Sequence, residues 1–385
     1  AIQIRNRRLL VSAAAGSGKT AVLVERIIQR ILDSSDPVDV DRLLVITFTK
    51  AAAAEMKNRI RKRLEDELKN PETDYEASSR LRSQIALIDS ASIQTVDSFC
   101  MNVVKDHTDE LNLDPGFRVA EETELRLLSA DVMEELLERH YDEASEEFIG
   151  FTEAFGQGTA GSGIDEIILR IYNFAQVTPD PEEWYGKQLE GSDTKQQREY
   201  VYHNLKMLVS SYVSLEESLL AICRMENGPM GYEAAIMSDL EQLEEIAASG
   251  SFDELHDLLR NVTWKGLARN KKDVLPELAD KVKAERKEIK DHIGKWKRDF
   301  TRTDISDIDR EYELTHPFIV TAVKLAMEYD EYYSAAKRDR NVIDFADLEH
   351  FALKVLRQSD EYREFFKEIC VDEYQDTNRL QEEII

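Results

Sequence analysis

The sequence predicts an α/β fold in which both ends of the chain contribute to one parallel β-sheet and a large, mostly helical insertion separates them. Short apolar and helical segments alternate over residues 8–68, the order expected for parallel strands joined by crossover helices. Residues 111–335 show helical spacing without strand alternation. An apolar segment at 368–371 then ends at two carboxylates, which suits a further strand of the same sheet.

The N-terminal elements follow one another closely. The apolar run 8–12 stops at small residues and predicts a buried strand that enters a tight loop. Helical periodicity covers residues 21–32, the apolar run 43–48 predicts a second buried strand, and the Ala-, Lys- and Glu-rich segment 51–68 predicts a long helix. These segments together predict strand, helix, strand and helix in order.

The C-terminal elements return to the sheet. Residues 342–348 open another helix, and the apolar segment 368–371 predicts a third sheet strand. We therefore expect a sheet domain formed by residues 1–110 and 336–385, with a helical insertion at 111–335 between its two parts.

Composition excludes several classes of protein. The 385 residues include 50 Lys and Arg against 77 Asp and Glu, a net charge of −27, which excludes nucleic-acid binding through overall positive charge but not through a local basic groove. The three cysteines are widely spaced, so no disulfide framework is expected and the compartment is predicted to be the cytoplasm. The sequence contains no run of 18 apolar residues, so no membrane span is predicted. The missing initiator Met and an end inside a helical segment suggest a piece of a longer protein.

A glycine-rich loop between the first predicted strand and helix is the clearest motif. Gly16 and Gly18 let the backbone approach phosphate oxygens, and the N–H groups of the loop and helix then point at the anion. Lys19 would reach the β- and γ-phosphates of a nucleotide, and the Thr20 hydroxyl would hold Mg²⁺. Ala13 departs from the usual Gly, and an ordinary strand–helix turn is the alternative. The expected phosphate-binding residues are Ala13, Ala14, Ala15, Gly16, Ser17, Gly18, Lys19 and Thr20.

The acidic pair at the end of the third predicted strand is a second motif. Asp372 at a strand tip can hold Mg²⁺, and the adjacent Glu373 can orient and deprotonate an attacking water. The alternative is a solvated acidic turn.

The segment 47–56 is a third motif. Phe48 could stack on a nucleic-acid base, while Thr49 and the following helix N-terminus could bind a backbone phosphate. A strand end with a core Phe is the alternative.

Four segments together resemble motifs I, Ia, Ib and II of superfamily 1 DNA helicases of the UvrD/RecB type. They are Ala13–Thr20, Thr47–Ile60, Thr95–Phe99 and Val371–Asn378. Within that superfamily, the segments 12–27, 47–60, 92–100 and 114–124 are most similar to helicase–nuclease proteins of the AddA type. The resemblance implies a RecA-like P-loop domain, 1A, at 1–110 and 336–385, interrupted by a helical domain 1B at 111–335.

The resemblance also implies a function. Members translocate along single-stranded DNA by hydrolysing ATP with Mg²⁺, and AddA-type proteins pair with AddB to unwind and resect double-strand breaks for recombination. It assigns phosphate and Mg²⁺ contacts to Lys19 and Thr20, an Mg²⁺ ligand to Asp372 and the catalytic base to Glu373. It implies contacts with single-stranded DNA at Phe48, Thr49 and Thr95. Asp97 stands where relatives usually have His, so no DNA contact is carried over to it.

Parts of the family pattern lie outside this sequence. The adenine-reading Gln motif precedes motif I, while motifs III to VI and the nuclease follow motif II. Because the family binds ATP between domains 1A and 2A, this chain is expected to hold half a nucleotide site and to be inactive by itself.

Other functions stay open. A stand-alone repair helicase of the UvrD or PcrA type is the nearest alternative, and a non-enzymatic module that docks DNA or a partner is another. A third hypothesis, a P-loop kinase that acts on a small molecule, leaves the segments 47–56 and 95–99 unexplained.

Two further patterns have competing interpretations. Residues 156–161 fit GxGxxG, but without a preceding strand they favour a surface loop over a dinucleotide site. The basic stretch 265–302, flanked by Trp264, could follow a DNA backbone, or it could be a solvated helix surface with ion pairs such as Lys281–Glu285 and Lys287–Glu288.

Overall fold

A computed structural model of the chain describes residues 2–5, 7–12, 18–33, 35–71, 73–156, 163–191, 194–270 and 273–385. The chain divides into two compact units. Unit 1 comprises Ala1–Tyr185 and Ala322–Ile385, and unit 2 comprises Gly186–Thr321. Each unit has its own apolar core.

Unit 1 contains a small parallel sheet. The strands in chain order are β1 (Leu43–Thr47), β2 (Ile93–Thr95), β3 (Arg118–Val119), β4 (Val342–Ile343) and β5 (Glu368–Val371). β1 lies between β2 and β5 in one parallel sheet, while β3 and β4 form a separate parallel pair. Val45 lies opposite Ile93 on one side and Cys370 on the other. The strands predicted at 43–48 and 368–371 are therefore confirmed, and the two ends of the chain share a sheet.

Helices cover both faces of this sheet. The helices of unit 1 up to the start of unit 2 are α1 (Lys19–Ile31), α2 (Lys50–Leu68), α3 (Tyr75–Leu87), α4 (Val96–Asp106), α5 (Thr108–Leu111), α6 (Glu122–Glu143), α7 (Glu146–Phe155), α8 (Ile164–Gln176) and α9 (Pro181–Glu190), which continues into unit 2. Side chains alternate along a strand, so Leu43 and Val45 pack with α1, α2 and α3, whereas Leu44 and Ile46 pack on the opposite face. β1 is buried on both faces, which explains its continuous apolar sequence.

Unit 2 is helical, as are the segments that return from it to unit 1. The remaining helices are α10 (Thr194–Cys223), α11 (Glu233–Ala248), α12 (Phe252–Asn261), α13 (Pro276–Phe300), α14 (Ile305–Asp339), which continues into unit 1, α15 (Phe345–Gln358), α16 (Glu361–Phe365) and α17 (Arg379–Ile384). α4, α15 and α17 cover the second face of the sheet. The predicted helical character of residues 111–335 is confirmed.

The strand predicted at residues 8–12 is wrong. These residues pair with none of the strands in the sheet, and Leu10 is 75% exposed. A buried strand needs a neighbour for its N–H and C=O groups, and the described part of unit 1 gives this segment none. Apolar composition alone was therefore insufficient to predict its conformation.

The segment 342–348 contains a short strand that the sequence did not indicate. Val342 and Ile343 form β4, and α15 begins only at Phe345. Asp344 is the N-cap of α15 and forms a reciprocal capping box with Asp347. The helix was predicted correctly, but its start was placed three residues too early.

A buried ionic cluster fixes the start of α15. The Lys337 side chain, near the end of α14, is 3% exposed, and its Nζ lies 2.7 Å from one oxygen each of Asp344 and Asp347. One lysine thus bridges both acids of the capping box, so ion pairs join the end of α14 to the start of α15.

In the described ranges, no helix combines the length and the apolar character needed to cross a membrane.

Candidate functional site

Lys19 and Glu373 come from opposite ends of the chain and lie together at the C-terminal edge of the sheet. Lys19 is the first residue of α1, and Glu373 lies two residues beyond β5. Lys19 Nζ is 4.0 Å from Glu373 Oε2, with the two side chains 32% and 47% exposed. An ion pair this exposed contributes at most about 1 kcal/mol to stability, so its interest is its location.

The local backbone explains why the acids lie at this edge. The Asp372 N–H donates to the Ile46 carbonyl at 3.0 Å, which extends the β5–β1 ladder by one residue. Glu373 then adopts a left-handed conformation with φ of 56°, which costs a residue with a Cβ about 1 kcal/mol. The strand therefore ends directly after Asp372, and both carboxylates are held at its tip.

Acidic and basic groups near the end of β5 shift the pKa of Asp372 in opposite directions. Burial raises the pKa of Asp372, and the neighbouring Glu373 carboxylate raises it further, while Lys19 and Arg59 act in the opposite direction. Gln375 Nε2 donates to Glu373 Oε2 at 2.6 Å. Two acids that repel each other favour a bound cation between them.

Sequence reasoning missed Arg59 and Gln375. Gln375 lies two residues from Glu373, so its proximity was a usable indication. Arg59 lies on α2, far from Asp372 in sequence, and acts on it through its charge, so the linear sequence gives no indication of this interaction.

The phosphate loop is described only in its last part. Ala13, Ala14, Ala15, Gly16 and Ser17, all predicted to bind ATP, lie outside the described residues. Gly18 precedes α1 with φ of 87°, a left-handed conformation that favours glycine. The first turn of α1 carries no acidic residue, and Gly18 provides no side-chain cap. The N–H groups of this turn, with the Lys19 ammonium, therefore favour an anion.

Together these groups can carry out phosphate chemistry. Lys19 and the N-terminus of α1 supply positive charge for phosphate oxygens. The Thr20 hydroxyl and the Asp372 carboxylate are the hard oxygen donors that Mg²⁺ prefers, so the residues fit that ion. Glu373, exposed and held by Gln375, can accept a proton from a water.

The residues predicted to contact DNA follow β1 and β2 and lie at the same edge of the sheet. Thr47, the last residue of β1, lies opposite Thr95, the last residue of β2. Thr49 is exposed, and its hydroxyl caps α2 by accepting the Ala52 N–H at 3.0 Å, while Phe48 is half-buried. Thr95 is only 5% exposed and caps α4. Phe48 and Thr49 are therefore the more accessible of the three.

Several lysines on α13, within the basic stretch, have partners within the chain. The predicted Lys281–Glu285 pair is present at 3.7 Å. The predicted Lys287–Glu288 pair is wrong, because residues four apart share a helix face and neighbours do not. The observed partners are Asp291 for Lys287 at 2.6 Å, the Trp264 ring for Lys290 at 5.7 Å and the Val262 carbonyl for Lys297 at 3.0 Å. These contacts favour the helix-surface interpretation.

Comparison with known proteins places this geometry in a family. The family model described as the UvrD/REP helicase N-terminal domain matches residues 1–385. The chain is 38% identical to an ATP-dependent helicase/nuclease protein of Geobacillus thermodenitrificans, and 37% and 36% identical to the proteins of the same name from Bacillus pumilus and Lachnoclostridium phytofermentans. The matches cover 100% of this chain and 33%, 33% and 29% of those relatives.

The chain thus spans about a third of the length of the relatives it matches. These relatives are helicase–nuclease proteins of the AddA type, so the resemblance that the four motifs indicated is confirmed. The match to the helicase domain extends over every residue of the sequence. The chain therefore belongs to the UvrD/REP helicase family.

Proposed function

We propose that this chain is the ATP-binding part of a DNA motor of the AddA helicase–nuclease type. The observation that carries the proposal is the 4.0 Å separation of Lys19 Nζ and Glu373 Oε2 at one edge of the sheet. In this proposal residues 1–110 and 336–385 form the RecA-like domain 1A with its P-loop at Ala13–Thr20, and residues 111–335 form domain 1B. The motor is proposed to work in the cytoplasm.

The chemical step follows from the roles of the residues. Lys19 binds oxygens of the β- and γ-phosphates, and Glu373 takes a proton from the water that attacks the γ-phosphorus. The new P–O bond forms as the bond to the bridging oxygen of ADP breaks, which releases ADP and phosphate. Thr20 and Asp372 would hold Mg²⁺, which neutralises phosphate charge when bound. Gln375 keeps the Glu373 carboxylate in place through its hydrogen bond.

DNA binding is proposed on the same edge of the sheet. Phe48 stacks on a base of single-stranded DNA, Thr49 and the N-terminus of α2 bind a backbone phosphate, and Thr95 contributes from the neighbouring strand. Phe48 and Thr49 follow β1, Thr95 ends β2, and the acidic pair follows β5. Because these three strands form one sheet, a movement at the nucleotide is passed to the DNA through that sheet. The proposed partners are the duplex to be unwound and a second protein of the AddB type.

The test is Lys19→Ala in the full-length protein. We expect DNA-stimulated ATP hydrolysis and duplex unwinding to fall at least about 100-fold, because a charge that stabilises the transferring phosphate is lost. Lys69→Ala, at an exposed lysine on the end of α2, is the control and should leave both rates unchanged.

The alternatives predict different results. A docking module without enzymatic function would keep its DNA-linked activity in Lys19→Ala. A stand-alone repair helicase would unwind duplex DNA without degrading it, whereas an AddA-type protein would also shorten the strands. Full hydrolysis by Lys19→Ala would contradict the proposal.

A further inference from the structure

A cluster of ion pairs joins α1 to β5 at the opposite end of the strand from the acidic pair. Arg26 Nε lies 2.6 Å from Glu368 Oε1, and Arg30 Nε lies 3.6 Å from Glu368 Oε2. The side chains of Arg26, Arg30 and Glu368 are only 14%, 9% and 16% exposed. Because the two arginines are four residues apart on one face of α1, a single carboxylate contacts both.

Other contacts hold this cluster in place. Arg30 donates to the Asp36 carbonyl at 2.6 Å and to its carboxylate at 2.8 Å. The Cys370 thiol lies 3.8 Å from Glu368 Oε1. The backbone N–H of Lys367, just before Glu368, donates to the Arg42 carbonyl at 2.9 Å. Glu368 is therefore fixed both by its strand and by α1.

The cluster lies on the two elements that carry the proposed catalytic groups. Arg26 is about 10 Å along α1 from Lys19, at 1.5 Å per residue. Glu368 is about 13 Å along the strand direction from Asp372, at 3.3 Å per residue. In the described sheet β5 pairs with β1 along one edge. Apolar contacts between α1 and β5 tolerate sliding, whereas charged hydrogen bonds are directional.

We propose that Glu368 is a positioning residue for ATP hydrolysis, holding α1 and β5 at the spacing that brings Lys19 and Glu373 to the same phosphate. This inference rests on the proposed function. A largely buried ion pair adds little net stability over apolar side chains of similar size, so its contribution is expected in geometry rather than in folding.

The experiment is Glu368→Gln in the full-length protein, with DNA-stimulated kcat and the Kd for a fluorescent ATP analogue measured together. We expect kcat to fall at least about tenfold, since misplacement of reacting groups by 1 Å can cost about 100-fold. The Kd should change less than about threefold, because Lys19 and Thr20 both lie on α1 and keep their positions relative to each other. Asp36→Asn, which removes another carboxylate that contacts Arg30 but leaves Glu368, is the control and should keep kcat.

An unchanged kcat in Glu368→Gln would overturn the inference, as would a parallel loss of kcat and nucleotide binding. If Glu368→Gln does not fold, Arg26→Gln removes the 2.6 Å contact while Arg30 remains, and the same split between kcat and Kd is expected. Glu373→Gln is assayed alongside. If Glu373→Gln still hydrolyses ATP, the proposed function itself is overturned. If Glu373→Gln loses hydrolysis while Glu368→Gln keeps a normal kcat, only the positioning role is overturned.

Discussion

Glu216 is a buried acid whose ionisation should destabilise unit 2. Its side chain is inaccessible to solvent, and neither carboxylate oxygen has a hydrogen-bond partner among the described residues. Burial and the nearby Asp239 raise the pKa of Glu216 to about 8, although Arg286 acts in the opposite direction. Arg286 is already engaged by Asp239 at 2.5 Å and 3.2 Å, so it cannot serve as the partner that Glu216 lacks.

The sign of the pH effect follows from these pKa values. Below pH 4.5, the ordinary pKa, both folded and unfolded states hold the proton, and stability is complete. Between 4.5 and about 8 the unfolded state is ionised while the folded state is not, so the free energy of unfolding falls as pH rises. At about 1.4 kcal/mol per pH unit, the loss from this one group reaches roughly 5 kcal/mol as an upper bound.

The assay is urea unfolding of Glu216→Gln and of the parent protein from pH 5 to pH 8.5. Trp264 and Trp296 pack against the core of unit 2, whereas Trp184 lies in unit 1, so tryptophan fluorescence in a Trp184→Phe background reports the unfolding of unit 2. With a urea slope of about 2 kcal/mol per molar, the midpoint of the variant should rise relative to the parent by as much as ~2 M across this range. Glu217→Gln, at the exposed neighbouring position, should show no such trend. A constant difference between Glu216→Gln and the parent at every pH would refute the reasoning.

Three further predictions concern stability and DNA binding. Lys337→Met leaves the two aspartates of the capping box buried without their cation, and we expect about 3–5 kcal/mol of lost stability by urea unfolding; a loss below about 1 kcal/mol would contradict it. Thr49→Ala removes the N-cap of α2, and a loss of about 1 kcal/mol is expected in the same assay, with an unchanged midpoint contradicting it. Neutralising three lysines of α13 should leave the salt dependence of DNA binding unchanged, because each has a partner in the chain. If the slope of log binding constant against log salt concentration instead became shallower by about 2, these lysines would contact DNA. These lysines are Lys287, Lys290 and Lys297.

The sequence predicted β1 and β5 but not the shorter strands β2, β3 and β4. β1 is a continuous apolar run because both of its faces pack against helices, and such a run of strand length is easy to recognise. β5 was recognisable because its apolar residues end at two acids. The predicted segment 8–12 also has an apolar centre, at 9–11, but no strand lies beside it in the described sheet, and pairing is a property of the fold that composition does not encode.

The candidate site was predictable in its residue types but not in its supports. Lys19 and the acidic pair follow from motifs in which each residue type is required by phosphate chemistry. Arg26 and Glu368 are 342 residues apart, and each alone is an ordinary charged residue of a helix or a strand. Only their contact in the fold shows that they join the two elements. Long-range ion pairs of this kind leave no local pattern.

The measurement that tests the central claim most directly is single-turnover ATP hydrolysis by Glu373→Gln in the full-length protein, with nucleotide binding measured on the same sample. If Lys19 and Glu373 act on one ATP, binding should stay within about threefold of the parent while hydrolysis falls at least about 100-fold, because only proton transfer from the water is lost. Hydrolysis within about tenfold of the parent, at unchanged binding, would contradict the account.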